Sequence, residues 1–119
     1  MANQNAKGIK RLINACIFSV AGFKATWTHE EAFRQEVIIF VVSTPIALWL
    51  GETTVEKLLL IGSVVLLMLV ELLNSAVEAV VDRVGFEHHE LSGRAKDIGS
   101  AAVMMSLAWV AVTWTLILI

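Results

Sequence analysis

The 22 residues from Ile98 to Ile119 contain no charged side chain. Coiled into a helix, such a run is about 33 Å long at ~1.5 Å per residue, enough to cross the ~30 Å hydrocarbon core of a bilayer. A second run, Leu58 to Val81, is also long enough to cross, and is interrupted by Glu71, Asn74, Ser75 and Glu78. A third, Val37 to Leu50, is uncharged but covers only ~21 Å. It spans only if Arg34 and Glu36 snorkel or are shielded by neighbours. Pro45 falls inside it and is expected to kink it, which membrane helices tolerate when nearby groups satisfy the freed carbonyl. Composition points the same way: 57% of the 119 residues are hydrophobic and 17% are charged. Ordinary globular chains carry about 25% charged residues. The expected fold is an all-α integral membrane domain with three transmembrane helices and an N-terminal amphipathic surface helix.

That surface helix is expected over residues 7–27. Ile9, Leu12, Ile13, Cys16, Ile17, Val20, Phe23 and Trp27 recur at helical spacing, while Lys7, Lys10, Arg11, Asn14 and Lys24 point elsewhere. A basic face opposite an apolar one suits a helix lying in the membrane interface. The segment lacks the short apolar core and small-residue cleavage site of a secretory signal. Membrane helices are expected over about 32–50, 57–82 and 95–119, with a cytoplasmic loop over 83–94. Lys7, Lys10, Arg11, Lys24 and Arg34 precede the first span, and Arg83, Arg94 and Lys96 lie between the second and third. Basic residues stay on the cytoplasmic side, which puts the N-terminus and the 83–94 loop there. Trp49 and Trp114 then fall near the opposite interface, where indoles prefer to lie. The single cysteine, Cys16, excludes an internal disulfide. A net charge of −2 singles out no partner, and none made of nucleic acid is expected.

The second span carries the chemistry. Glu71, Asn74, Ser75, Glu78 and Asp82 stand at i, i+3, i+4, i+7 and i+11, within an arc of about 100° on one helix face. Insertion costs about 2.5–3.5 kcal/mol for an acid near the helix centre. Such residues need a cation, a metal ion, or water in a functional cavity. Interhelical hydrogen bonding that specifies an oligomer is the plainer alternative. Glu30, Glu31 and Glu36, before the first span, form either a solvated helix end or part of an oxygen-ligand site for Mg²⁺. In Glu87-His88-His89-Glu90-Leu91-Ser92-Gly93-Arg94-Ala95-Lys96-Asp97, Arg94 and Lys96 could meet phosphate charge. His88-His89 is weak as a zinc site, because adjacent residues of a helix point about 100° apart. Gly99, Ala101 and Ala102 would let the third span approach another helix closely. There is no G-x-x-x-x-G-K-[ST], no G-x-G-x-x-G and no protein-kinase signature set.

These residues resemble a known family. Glu71-Leu-Leu-Asn74-Ser75-Ala-Val-Glu78-Ala-Val-Val-Asp82-Arg83, then Glu90-Leu-Ser-Gly-Arg-Ala-Lys96-Asp97-Ile-Gly-Ser100, and Ala32-Phe-Arg34-Gln35-Glu36, are similar to the prokaryotic diacylglycerol kinases over nearly the whole chain. The resemblance implies a multi-pass homotrimer of the bacterial inner membrane, with active sites shared between subunits. It implies transfer of phosphate from ATP to 1,2-diacylglycerol, giving phosphatidate at the cytoplasmic membrane interface, in lipid recycling. It implies Glu71 and Asn74 as catalytic residues, Glu71 being the base, and Glu30 and Glu78 as holders of Mg²⁺. Arg11, Phe18, Glu30, Glu78, Glu87, His88, His89, Lys96 and Asp97 would surround the nucleotide. Arg11, Ser19, Lys24, Trp27, Gln35, Trp49, Lys57, Glu71, Ser100 and Trp114 would meet the lipid. Phe18 and His88 stand where the family usually has tyrosine. The alternatives are an undecaprenol kinase of the same family, a small ion or proton transporter using Glu71 and Glu78 as a relay, and a structural oligomerisation module.

Overall fold

The computed structural model describes residues 5–85 and 89–119. They form four helices, α1 (Gly8–His29), α2 (Glu31–Leu50), α3 (Thr54–Val84) and α4 (Glu90–Leu118), with no strand among the described residues. The last three are long and apolar enough to cross a membrane.

Residues up to Glu31 make one unit and Ala32–Ile119 another. Within the first, α1 buries none of its residues and leaves Ile9, Leu12, Ile13, Ile17, Val20, Phe23 and Trp27 exposed. Its hydroxyls turn back onto the helix: Ser19 Oγ donates to Ala15 O at 2.7 Å and Thr28 Oγ1 to Lys24 O at 2.8 Å. A hydroxyl satisfied in this way needs no water, which suits a helix lying among lipids.

In the second unit, α2 runs unbroken through Pro45, which cannot donate to the carbonyl one turn back. Immediately before it, Thr44 Oγ1 donates to Phe40 O at 2.6 Å, while the carbonyl left open by the proline is that of Val41. Phe33, Glu36 and Ala47 are its buried face. The turn that follows is tight. Gly51 N donates to Ala47 O at 2.9 Å, and a Cβ on Gly51 would come within 2.6 Å of Lys57 Cγ. Helix α3 then starts at Thr54, four residues before the apolar run begins. Thr53 Oγ1 accepts from Glu56 N at 3.1 Å, and Glu56 Oε2 accepts from Thr53 N at 3.0 Å. This reciprocal capping box satisfies two donors that a helix start otherwise leaves open.

Helices α3 and α4 pack along an antiparallel seam. Three contacts set its register: Lys96 to Asp82 at one end, Gly99 against Asn74 in the middle, and Trp114 Nε1 donating to Leu60 O at 3.1 Å toward the other end. The buried positions of α3 are Leu60, Ser63, Val64, Leu67 and Glu71. On α4 the buried positions are Ser106 and Thr113. Small side chains there let two backbones approach, which matters where lipid offers no hydrophobic drive between helices. Ser63 Oγ and Ser106 Oγ each bond a carbonyl of their own helix at 2.8 Å.

Helix α4 begins at Glu90, inside the stretch that reads as loop, because His89 caps it, its Nδ1 accepting from Leu91 N at 3.0 Å. The polar residues 90–97 are thus helical rather than irregular. With 31 residues, α3 is about 46 Å long and exceeds the ~30 Å hydrocarbon core. The end bearing Asp82, Arg83, Arg94 and Lys96 is the one that polar chemistry pushes out of the apolar layer.

Candidate active site

On α3 the polar half of the seam follows the apolar half. Glu71 is only 4% exposed, Asn74, Ser75 and Glu78 are half-buried, and Asp82 is exposed. The stripe runs from a buried acid to an exposed one. Asn74 Nδ2 donates to Glu78 Oε1 at 3.4 Å. Asn74 Oδ1 turns to α4 and lies against Gly99. One turn further out, Lys96 Nζ pairs with Asp82 Oδ1 at 2.8 Å. Both of these side chains are about half exposed, so the pair orders the mouth of the stripe more than it stabilises the fold.

Glu36 is the surprise. Its place in an acidic run suggested a side chain at the membrane surface. It is instead 6% exposed, on the buried face of α2, and within electrostatic reach of Glu71. The sequence did hold a signal: Phe33, Glu36, Phe40 and Ala47 fall on one side of a helix.

Among the described residues, four buried side-chain atoms find no hydrogen-bond partner: Glu36 Oε1, Asn74 Oδ1, Ser75 Oγ and Thr113 Oγ1. Each such atom costs about 1–3 kcal/mol. Three of the four belong to Glu36 and the Asn74-Ser75 turn. Buried polar atoms without partners are atoms that a bound polar ligand could satisfy.

The other expected site residues fall elsewhere. Arg11, Phe18, Ser19, Lys24, Trp27 and Glu30 belong to the first unit, where Glu30 ends α1 with its N–H on Thr26 O. Glu87 and His88 lie outside the described residues. His89 caps α4 through its Nδ1 and is exposed. Asp97 and Ser100 are exposed on α4, and Gln35 and Trp49 are exposed on α2. Lys57 packs at the turn of Gly51, and Trp114 is committed to the Leu60 carbonyl.

No group of three His, Cys, Asp or Glu side chains that could hold a metal ion occurs among the described residues. The donor set nevertheless fits magnesium brought in on a nucleotide. Mg²⁺ typically takes one or two protein carboxylates and fills its remaining positions with phosphate oxygens and water. The half-buried Glu78 carboxylate offers a hard oxygen donor of that kind.

Fold and site together define a small helical membrane enzyme whose polar site is cut into the faces of its own spanning helices. The family model described as prokaryotic diacylglycerol kinase matches residues 17–118. The chain is 51% identical to a diacylglycerol kinase of Escherichia coli over 99% of its length and 96% of that protein. It is 50% identical to one of Haemophilus influenzae, over 90% and 91%, and 49% identical to one of Pseudomonas aeruginosa, over 94% and 91%. The chain belongs to the prokaryotic diacylglycerol kinase family.

Proposed function

We propose that this chain phosphorylates diacylglycerol with ATP, using the buried face of α3 as its catalytic surface and Glu71 as the base. The observation that carries the assignment of the site is the cluster of buried, unpartnered polar atoms around Glu71, on a helix that otherwise reads as membrane-spanning. Full-length likeness to diacylglycerol kinases supports the reaction.

The order of residues along α3 suits two substrates of opposite character. Glu71 lies where an acyl-chained alcohol would present its hydroxyl. Glu78 is seven residues on, about 10 Å nearer the polar end. Glu71 accepts the proton of the lipid hydroxyl as its oxygen bonds the γ-phosphorus and the bond from phosphorus to ADP breaks. The products are phosphatidate and ADP. Asn74 orients the Glu78 carboxylate through its amide. The resemblance assigns Glu78 and Glu30 to magnesium, which when bound would offset phosphate charge. Lys96, paired with Asp82 at the mouth, would meet a nucleotide phosphate. The remaining assignments implied by the resemblance stand in the same proposal: Arg11, Phe18, Glu87, His88, His89 and Asp97 for nucleotide, and Ser19, Lys24, Trp27, Gln35, Trp49, Lys57, Ser100 and Trp114 for lipid. The setting is the inner membrane of a bacterium, with a cytoplasmic N-terminus and a homotrimer sharing its sites.

The test is transfer of labelled γ-phosphate from ATP to diacylglycerol in bilayers, with undecaprenol assayed alongside. Magnesium-dependent phosphatidate is expected from the parent. General-base removal typically costs 10²–10⁴-fold, and Glu71→Gln should lose turnover in that range while remaining folded. A folded Glu71→Gln protein with parental turnover would remove Glu71 from the role. Faster transfer to undecaprenol would move the substrate. Ion flux in liposomes without ATP consumption would restore the transporter reading.

A further inference from the structure

We infer that Gly99 is a positioning residue for the transfer reaction: the bare backbone of α4 at this point seats the Asn74 amide, and through it the Glu78 carboxylate. The inference rests on the reading that places Asn74 and Glu78 in the active site.

A Cβ built on Gly99 would collide with Asn74 Oδ1, and would lie 3.1 Å from Asn74 Cγ and 3.9 Å from Asn74 Cβ. All three nearest atoms belong to one side chain. The other glycines within helices behave differently: a Cβ on Gly22, Gly62 or Gly93 would meet nothing within 4 Å. Gly99 is therefore distinguished by what fills the space over it, and what fills it is an amide rather than a neighbouring backbone. Glycine in a helix interior is less favourable than alanine, so its presence there asks for a reason.

The geometry supplies one. Asn74 is held at two points. Its Oδ1 fits the recess over Gly99, and its Nδ2 then faces Glu78 Oε1 at 3.4 Å. Oδ1 in the recess is buried without a hydrogen bond, so on that side the shape of the recess and not a polar partner holds the amide. A methyl group at position 99 fills the recess. Asn74 must then rotate about its own side-chain bonds, and the contact with Glu78 is lost with that rotation. The acid nearest the proposed phosphate site loses its orienting donor although no polar group has been changed.

The experiment is a double-mutant cycle in the full-length protein in bilayers, with Gly99→Ala, Asn74→Ala and the two combined. Turnover, KM for magnesium-ATP and melting temperature are measured, together with the NMR resonance of the Asn74 side-chain amide. Misplacing a reacting group by about 1 Å can cost 10²-fold, and Gly99→Ala should lower kcat/KM by roughly ten- to a hundred-fold. It should also shift the Asn74 amide resonance. In the Asn74→Ala background the same change should cost less than about twofold, because the side chain it displaces is gone. Gly62→Ala, whose Cβ meets nothing, should match the parent throughout. Equal losses from Gly99→Ala in both backgrounds overturn the role of Gly99 and leave Asn74 in the site. Parental turnover in Asn74→Ala sinks the placement of Asn74, and the inference with it. Where Gly99→Ala alone does not fold, the combined variant must still melt with Asn74→Ala and match its turnover, and a failure there overturns the inference.

Discussion

Replacing Trp114 by phenylalanine isolates the contact that fixes the α3–α4 register at the end away from the polar stripe. The indole Nε1 donates to the Leu60 carbonyl across the seam at 3.1 Å. Phenylalanine keeps an aromatic ring and removes the donor. The carbonyl is not orphaned by the loss, since it also accepts from Ser63 Oγ at 2.8 Å. The full cost of an unsatisfied buried group therefore does not apply. Interhelical hydrogen bonds in a membrane protein average about 0.6 kcal/mol, with ~1.7 kcal/mol as a ceiling. Adding the loss of ring contact, Trp114→Phe should destabilise the protein by about 1–2 kcal/mol. Trp49 is the control. It is 82% exposed, and Trp49→Phe should stay within about 0.5 kcal/mol of the parent. Removing Ser63 as well as Trp114 strips the carbonyl of both side-chain donors. The double variant should then exceed the sum of the singles by at least about 0.5 kcal/mol. Denaturation by SDS in mixed micelles, followed by far-UV circular dichroism, gives all four midpoints. A Trp49→Phe loss equal to that of Trp114→Phe, or strict additivity with Ser63→Ala, would refute the reasoning.

Thr53→Ala breaks the capping box at the start of α3 and should cost about 1 kcal/mol in the same titration, with an unchanged midpoint as the contrary result. Glu36→Gln removes an acid buried opposite Glu71 and gives the site a donor. It should raise the midpoint by about 1–2 kcal/mol, and a fall would show that the carboxylate has a compensating cation.

Much of this architecture is legible in the amino-acid order because bilayer physics is blunt. An apolar run long enough to cross announces itself, and a 3.6-residue period places Glu71, Asn74, Ser75, Glu78 and Asp82 on one face without any coordinates. Hydropathy marks where the membrane is and not where a helix ends. For that reason α4 starts at Glu90, within what reads as loop, and α3 at Thr54. The second of these was available in the Thr53-x-x-Glu56 pattern. Glu36 was harder. It stands in an acidic run, and its sharing a helix side with Phe33, Phe40 and Ala47 is a weak signal that packing makes plain. The pairing of Trp114 with the Leu60 carbonyl has no sequence signature, since it depends on the antiparallel offset between two helices. The same holds for Gly99, where spacing suggests a close approach but cannot say that the visitor is the Asn74 amide.

The surplus length of α3 has a consequence for the lipid environment. A rod of 31 residues stands in a hydrocarbon slab it overshoots by roughly half, so lipid tail length decides where the waterline crosses it. In a thin bilayer the crossing falls near Asn74 and leaves Glu78 wet. In a thick one it climbs by about one turn, to near Glu78, and wets less of the stripe. The helix is in effect a dipstick, and the wetted length of its acidic scale is set by the membrane it stands in.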